Sequence, residues 1–162
     1  MPIKVSIIED DDWIRENLAA QIGQTSGFSC IGCYRDGEQA LLSMGKEAPD
    51  VVMMDINLPK MSGIDCVRQL KGRLPHTQYV MLTVYEDADV IFKSLLAGAV
   101  GYLLKGRTGS GAQVLEAYPK DVAGPLAASS VYTGTAGMFA AVGFEEVARR
   151  HPERPIMRLR LG

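Results

Sequence analysis

The sequence predicts an α/β fold: a doubly wound, five-stranded parallel sheet with helices on both faces. Over residues 1–105, short apolar runs rich in β-branched residues alternate with longer segments of helical periodicity, which is typical of repeated βα units. Residues 51–55, VVMMD, have no polar alternation until the last position. A run of this kind predicts a parallel strand that is buried on both faces.

The elements follow in chain order. Five segments are predicted to be strands: residues 3–8, 28–34, 51–55, 78–84 and 100–104. Four segments are predicted to be helices: residues 10–24, 36–50, 62–72 and 86–99. Acidic residues at the start of the first helix match the favourable end of its dipole, and Asp36 is a suitable cap for the second.

Length and composition limit the classes of protein to consider. The 162 residues fit one domain, or one domain with an appendage, and a net charge of −2 does not indicate general nucleic-acid binding. We find neither a membrane-length apolar run nor a signal-peptide pattern, and expect a cytoplasmic, reduced protein. Cys30 and Cys33 have CxxC spacing in a strand-like run; we interpret them as structural or incidental, with a redox or metal role as the alternative.

Polar side chains follow four of the predicted strands at their carboxyl ends: Glu9, Asp10, Asp55, Thr83 and Lys105. The carboxyl ends of parallel strands meet in one crevice, so these groups are expected to lie together. Clustered carboxylates need a cation, and hard oxygen ligands suit Mg²⁺. A carboxylate nucleophile with a lysine and a hydroxyl nearby is suited to phosphoryl transfer.

Residues 1–105 resemble the receiver domain of bacterial two-component response regulators, which has a flavodoxin-like (CheY-like) fold. Four motifs in order carry the resemblance: Glu9-Asp10, the run DINLPKMSGID from Asp55 to Asp65, Thr83, and Lys105 after GYLL. The resemblance implies that Asp55 accepts a phosphoryl group from a histidine kinase. It also implies a signalling domain with modest autophosphorylation and autodephosphorylation character, and not a conventional enzyme.

The resemblance further implies a role for each site residue. Mg²⁺ would be held directly by Asp10 and Asp55, by the backbone carbonyl of Asn57, and by Glu9 through water. Lys105 and Thr83 would contact the phosphoryl group. Tyr102 would be the switch aromatic that follows Thr83 inward, so that the face of the fourth helix and fifth strand changes shape for a partner.

Each residue also has an ordinary structural interpretation. The acids at positions 10–12 are suitable helix caps, Asp55 is a common turn residue, and Thr83 fits a plain strand end. Lys105 could be solvated and Tyr102 could be a core aromatic. Only the joint pattern favours the receiver site.

The tail does not follow the receiver pattern. A receiver normally has a fifth helix after the position of Lys105, whereas residues 106–111 read as a Gly-rich linker. The fold of residues 112–162 is uncertain. Three stretches, GAQVLEAYP, YTGTAGMFAAVGFEEVARR and RPIMRLRL, together resemble a C-terminal fragment of a Gcn5-related N-acetyltransferase, a small α+β unit. The pyrophosphate-binding loop of that family is missing, so we expect neither acetyl-CoA binding nor acetyltransferase activity, and favour an engineered or accidental fusion.

The missing helix leaves one sheet face in need of cover, because exposed apolar sheet is unstable. We expect the tail to pack on its own receiver or on that of a neighbour, as a homodimer or by segment exchange. The stretch 133–150 offers an apolar helical stripe (Met138, Phe139, Val142 and Val147), and 155–161 alternates like a half-buried strand. No DNA-binding module is visible. The rival to signalling is a non-signalling scaffold in which the tail forms an interface.

Overall fold

The computed structural model describes residues 1–45, 48–84, 87–107, 113–117, 136–141, 143–152 and 154–161. Its strands are β1 (Ile3–Ile8), β2 (Phe28–Tyr34), β3 (Val51–Asp55), β4 (Gln78–Thr83), β5 (Ala99–Arg107), β6 (Gln113–Ala117), β7 (Glu145–His151) and β8 (Arg154–Arg160). Its helices are α1 (Asp12–Gln24), α2 (Gly37–Ser43), α3 (Gly63–Arg73), α4 (Ala88–Ala97) and α5 (Ala136–Ala141).

The eight described strands lie in one sheet, in the order β2-β1-β3-β4-β5-β6-β8-β7. The first five are parallel to one another, which confirms the predicted five-stranded receiver sheet. Strands β6, β8 and β7 continue the sheet beyond β5 with antiparallel pairing. The sequence had predicted a separate small tail, and did not predict that its strands join the receiver sheet.

Local capping sets where the helices begin. The side chain of Asp11 accepts from the N–H of Ile14, 3.0 Å away, and that of Asp36 accepts from the N–H of Gln39 at 2.7 Å. Each bond satisfies one of the orphan donors of a first helical turn. Because Asp11 serves as the cap of α1, Glu9 and Asp10 are left for other contacts.

Two apolar layers pack on the two faces of the sheet. One combines inward residues of β1, β3 and β4 with α2, α3 and the end of α4. The other, which we call the α1-face cluster, lies under α1; its buried members are Ile7, Ile14, Leu18, Leu82, Leu103, Leu115, Ala117, Phe144, Met157 and Leu161. Half of the members of the α1-face cluster come from the tail.

The tail therefore covers the sheet face that lacks a receiver's last helix. Leu115 is fully buried and Leu161 nearly so, and the side-chain amide of Gln21 in α1 donates to the carbonyl of Arg160 at 3.0 Å. The described tail residues pack on their own receiver, which is one of the two arrangements that the sequence left open. The predicted alternation is seen only in part: Met157 and Leu161 are buried and Arg160 is exposed, but Ile156 is buried as well and Leu159 is only partly buried.

Two expectations for the tail need correction. Gly106 and Arg107, assigned to a linker, belong to β5, because they pair with Val114 and Gln113 of β6; positions 108–111 lie outside the described residues. The stretch 133–150 is not one helix: α5 covers six residues and β7 begins at Glu145. Between them Gly143 has φ +95°, a left-handed conformation that ends the helix.

The predicted apolar stripe is only partly formed as a result. Phe139 is partly buried against the α1-face cluster and makes an edge-to-face contact with Phe144, with ring centroids 5.1 Å apart. Val147 lies in β7 and is exposed. Val142 and the side chain of Met138 lie outside what the structure describes.

Candidate functional site

The polar residues predicted from the strand ends do meet at one edge of the sheet. Strands β1, β3, β4 and β5 are adjacent, and they carry Glu9, Asp55, Thr83 and Lys105 to the same end. Glu9 and Asp55 are 0% and 2% exposed, and Thr83 is buried too. Two carboxylates with almost no solvent contact require a positive partner.

Lys105 supplies that partner. Its Nζ lies 2.9 Å from Oδ1 of Asp55 and 3.0 Å from Oε2 of Glu9. Burial alone pushes the pKa of Lys105 down, but attraction to Asp55 and Glu9 outweighs it, and the net pKa is raised. The lysine is therefore held as a cation between two acids.

A single cation does not balance the acids of this site. Burial, followed by repulsion from Asp55, raises the pKa of Glu9 from 4.5 to about 7, against the opposing effect of Lys105. One carboxylate oxygen each from Glu9, Asp10 and Asp55 lie within 4.8 Å of one another. We call these three residues the acidic cluster. The excess negative charge and the all-oxygen donor set fit a hard divalent cation such as Mg²⁺.

Backbone contacts fix Glu9 from three sides. Its N–H donates to the carbonyl of Tyr34 at 3.0 Å, its Oε1 accepts from the N–H of Asp11 at 3.2 Å, and its carbonyl accepts from Nη1 of Arg15 at 2.7 Å. Sequence reasoning did not identify Arg15 or the carbonyl of Tyr34. The only available signal was the i+6 spacing of Arg15 from Glu9, which is not specific enough to use.

Asn57, Thr83 and Tyr102 are placed as follows. The N–H of Asn57 donates to Oδ1 of Asp55 at 3.3 Å, so the loop after β3 orients the carboxylate; the metal-ligand role of its carbonyl stays a prediction. Thr83 ends β4 opposite Leu104. Tyr102 in β5 is partly buried against the apolar layer on the α2–α4 side, as a core aromatic would be, and its switch role also stays a prediction.

The loop after Asp55 returns very close to the strand. The N–H of Gly63 donates to the carbonyl of Ile56 at 2.9 Å, and a Cβ built on Gly63 would lie 1.9 Å from the carbonyl oxygen of Asp55. Only glycine allows this approach.

Replacing Gly63 with Ala is expected to destabilise the protein at the upper end of the ~1–3 kcal/mol typical of overpacking, because the new methyl group meets backbone and not a movable side chain. Urea unfolding followed by circular dichroism measures the change. The matched control is Gly72→Ala in the same helix, where no atom beyond its chain neighbours and the helix's own backbone lies within 4 Å of the new Cβ; it is expected to be neutral or stabilising. Equal midpoints for both variants would contradict the prediction.

A second prediction concerns the metal-free protein. Between pH 4.5 and about 7, folded Glu9 keeps a proton that the unfolded chain has lost, so stability falls as pH rises through this window. The acids with lowered pKa values, Asp12, Asp36 and Asp65, act below 3.8 and do not contribute there. Glu9→Gln should remove this part of the pH dependence, as measured by melting temperatures across the window in chelator. A variant with the same slope as the parent would count against it.

Comparison with known proteins agrees with this geometry. The family model "Response regulator receiver domain" matches residues 5–113. The transcriptional regulatory protein DegU of Brevibacillus brevis is 35% identical over 103 residues, which are 64% of this chain and 44% of that protein. The chain belongs to the response regulator receiver domain family.

Solved structures share the fold. The response regulator domain of Thermotoga maritima CheB superimposes with a TM-score of 0.61 at 26% identity, covering 65% of this chain and 79% of that one. A chain of the CheX–CheY–BeF3–Mg²⁺ complex of Borrelia burgdorferi gives 0.61 at 26% identity, covering 67% and 81%. The CheY-like fold class is thereby confirmed.

The extent of these matches also matters. The chain spans about half the length of the curated relatives it matches. Those relatives are response regulators, which are not conventional enzymes. None of the described helices is long and apolar enough to cross a membrane. The acetyltransferase-like interpretation of residues 112–162 is not shown by the comparisons and stays a prediction.

Proposed function

We propose that this chain is the phosphoacceptor of a two-component signalling system and is phosphorylated on Asp55 by a histidine kinase. The observation that carries the proposal is the arrangement of Lys105, which lies within 3.0 Å of both Asp55 and Glu9, beside the three carboxylates of the acidic cluster. Burying two acids and a lysine contributes little to stability, because the cost of desolvation offsets their attraction. A functional role therefore explains this arrangement better than a structural one.

The chemistry assigned to Asp55 is nucleophilic attack on phosphorus. Both contacts described for its carboxylate, from Lys105 and from the N–H of Asn57, are made to Oδ1. We therefore assign Oδ2 as the attacking oxygen: it forms the bond to phosphorus while the bond from phosphorus to the donor's histidine nitrogen breaks. The product is an acyl phosphate, which Lys105 neutralises in part.

The acidic cluster is the assigned Mg²⁺ site, with Asp10 and Asp55 as direct ligands, Glu9 acting through water and the Asn57 carbonyl completing the set. When bound, the metal would supply positive charge for the phosphoryl oxygens. In this assignment Glu9 stays ionised in the presence of the cation, and Lys105 is released from one of its two carboxylates to meet the phosphoryl group.

We propose that phosphorylation is detected by a partner through a change in the surface formed by α4 and β5. The hydroxyl of Thr83 bonds the phosphoryl group, Tyr102 follows inward, and the face formed by α4 and β5 changes for a partner. Exposed apolar side chains of α4, Phe92 and Leu96, lie on the solvent side of this region. Relatives such as DegU are named as transcriptional regulators; for this chain a transcriptional output is a proposal that depends on a partner domain or protein.

Trp13 provides the test. It is the only tryptophan, it lies in the first turn of α1 close to the acidic cluster in sequence, and it is 42% exposed. Mg²⁺ followed by beryllofluoride, a mimic of the acyl phosphate, is expected to change its fluorescence in the parent and in the control Asp89→Asn, which alters an exposed acid of α4. Asp55→Asn should abolish the beryllofluoride response.

The rival is a non-signalling scaffold with the same fold. It predicts no beryllofluoride response, and identical behaviour of the parent and Asp55→Asn. An acetyltransferase would instead be revealed by heat of acetyl-CoA binding in calorimetry, which we expect to be absent.

A further inference from the structure

Strand β2 contains an irregularity that brings two cysteines onto one face. In the pairing with β1, Val5 lies opposite Cys30 but Ser6 lies opposite Gly32, so Ile31 is an extra residue. In a regular strand, positions 30 and 33 point to opposite faces. The bulge changes the parity, and Cys30 and Cys33 lie beside Val5 and Ile7, which share a face because they are two residues apart in β1.

The two thiols are in contact as a result. Their Sγ atoms are 3.6 Å apart. Cys30 is half-buried and packs against the α1-face cluster, whereas Cys33 is exposed. The position is open to reagents because Cys33 is exposed and β2 is an edge strand of the sheet.

Glycine at position 32 belongs to the same arrangement. A Cβ there would lie 2.8 Å from the hydroxyl of Tyr34, whose ring packs on the opposite apolar layer. Gly32 and Tyr34 thus occupy one face of the strand, and Cys30 and Cys33 the other. The contact between the two sulfurs therefore results from the bulge, and not from a CxxC motif at the start of a helix.

Metal binding is the weaker of the two uses for such a pair. Among the residues that the structure describes, no third histidine, cysteine or carboxylate joins the two thiols at ligand distance; the only group of three such residues is the acidic cluster. A structural metal site needs four ligands. The pair is complete, by contrast, for a reaction that needs two sulfurs.

We propose that Cys30 and Cys33 are a redox modification site that closes to an intramolecular disulfide. The two thiols lose two protons and two electrons and form one S–S bond, and the electrons reduce an external low-molecular-weight disulfide to two thiols. Closure requires the sulfurs to move from 3.6 Å to ~2.05 Å, which the edge strand must accommodate by local bending.

The reaction is expected to be slow at neutral pH. Partial burial, then the hydrogen bond shared with Cys30, raises the pKa of Cys33 to about 11, and the thiolate is the reactive form. A disulfide at an exposed edge is also readily reduced again. Both properties favour a reversible modification over a permanent structural bridge.

The cysteine pair lies next to a residue that contacts the acidic cluster, so formation of the disulfide is expected to affect that site. Cys33 directly precedes Tyr34, whose carbonyl accepts the hydrogen bond from the N–H of Glu9. Bending of β2 at this point therefore acts on the backbone that positions a member of the acidic cluster. The formation of the disulfide itself does not depend on the proposed function.

The test uses the third cysteine as an internal control. Cys66 is buried between helices, and burial raises its pKa to about 12. The full chain is incubated with oxidised glutathione at mildly alkaline pH, alkylated under denaturing conditions, and analysed as intact protein and as peptides. We expect the loss of two hydrogen atoms, one alkylated cysteine at position 66, and full reversal by a reducing agent.

The variants separate the outcomes. Cys66→Ser should still form the bond, whereas Cys30→Ser and Cys33→Ser should not. The mass and alkylation of the parent chain test the proposal even if a variant fails to fold. Three alkylated cysteines after exposure to an oxidant that oxidises a dithiol standard would overturn the proposal. So would a product that stops at a glutathione adduct on Cys33 or that links two chains.

Discussion

Asp55→Asn is expected to abolish phosphorylation by a small-molecule acyl phosphate and by a histidine kinase, while the fold stays intact. The amide is nearly isosteric and its oxygen can still accept from Lys105 and from the N–H of Asn57, which both contact Oδ1 in the parent. An amide is not a nucleophile for phosphorus, so the loss should be complete and not graded. Intact-mass measurement after incubation with donor and Mg²⁺ checks it.

Controls distinguish loss of the acceptor from loss of the site. Asp89→Asn, an exposed acid in α4, should gain one phosphoryl group as the parent does. Asp10→Asn removes one member of the acidic cluster, so it should need more Mg²⁺ but still be labelled at Asp55. Equal labelling of Asp55→Asn and the parent, or labelling of the parent at another residue, would refute the assignment.

The site could be predicted from the sequence because it depends on strand ends. The residues that follow parallel strands lie at the same end of the sheet. The predicted strand ends therefore suffice to place Asp55 and Lys105 at one site. The contacts that hold Glu9 could not be predicted in this way. The contribution of Arg15 depends on a side-chain conformation in α1, and that of Tyr34 depends on backbone register across a bulge, neither of which leaves a periodic pattern in the sequence.

The tail shows a different limit. Gly106 sits in a Gly-rich stretch, and local composition favours a linker there. Its strand conformation is set by pairing with Val114, which is a non-local interaction. The alternating sequence of residues 155–161 predicts a strand at β8, but it does not say which strand β8 pairs with. Tertiary pairing therefore decided the structure where local sequence was ambiguous.

Leu115→Ala is expected to lower the free energy of unfolding by about 2–5 kcal/mol, the range for a large-to-small change in a packed core. Leu115 is fully buried in β6, and it belongs to the α1-face cluster together with Leu103 of β5 and Leu18 of α1. If the tail is an integral part of the core, this tail residue should affect the unfolding of the whole receiver. Urea unfolding monitored by circular dichroism and by Trp13 fluorescence should give one coincident transition at a lower midpoint.

The matched control is Val147→Ala in β7, which is 46% exposed and should change stability by no more than about 0.5 kcal/mol. A chain shortened to end after residue 108 tests the same prediction by removing the tail. The truncation exposes Ile7, Leu18 and Leu103, which are buried in the full chain. Such a chain should melt at a lower temperature or associate. An unchanged melting temperature and a monomer in both lengths would mean that the tail packs on the receiver without stabilising it, and Leu115→Ala should then have no effect on the receiver's unfolding.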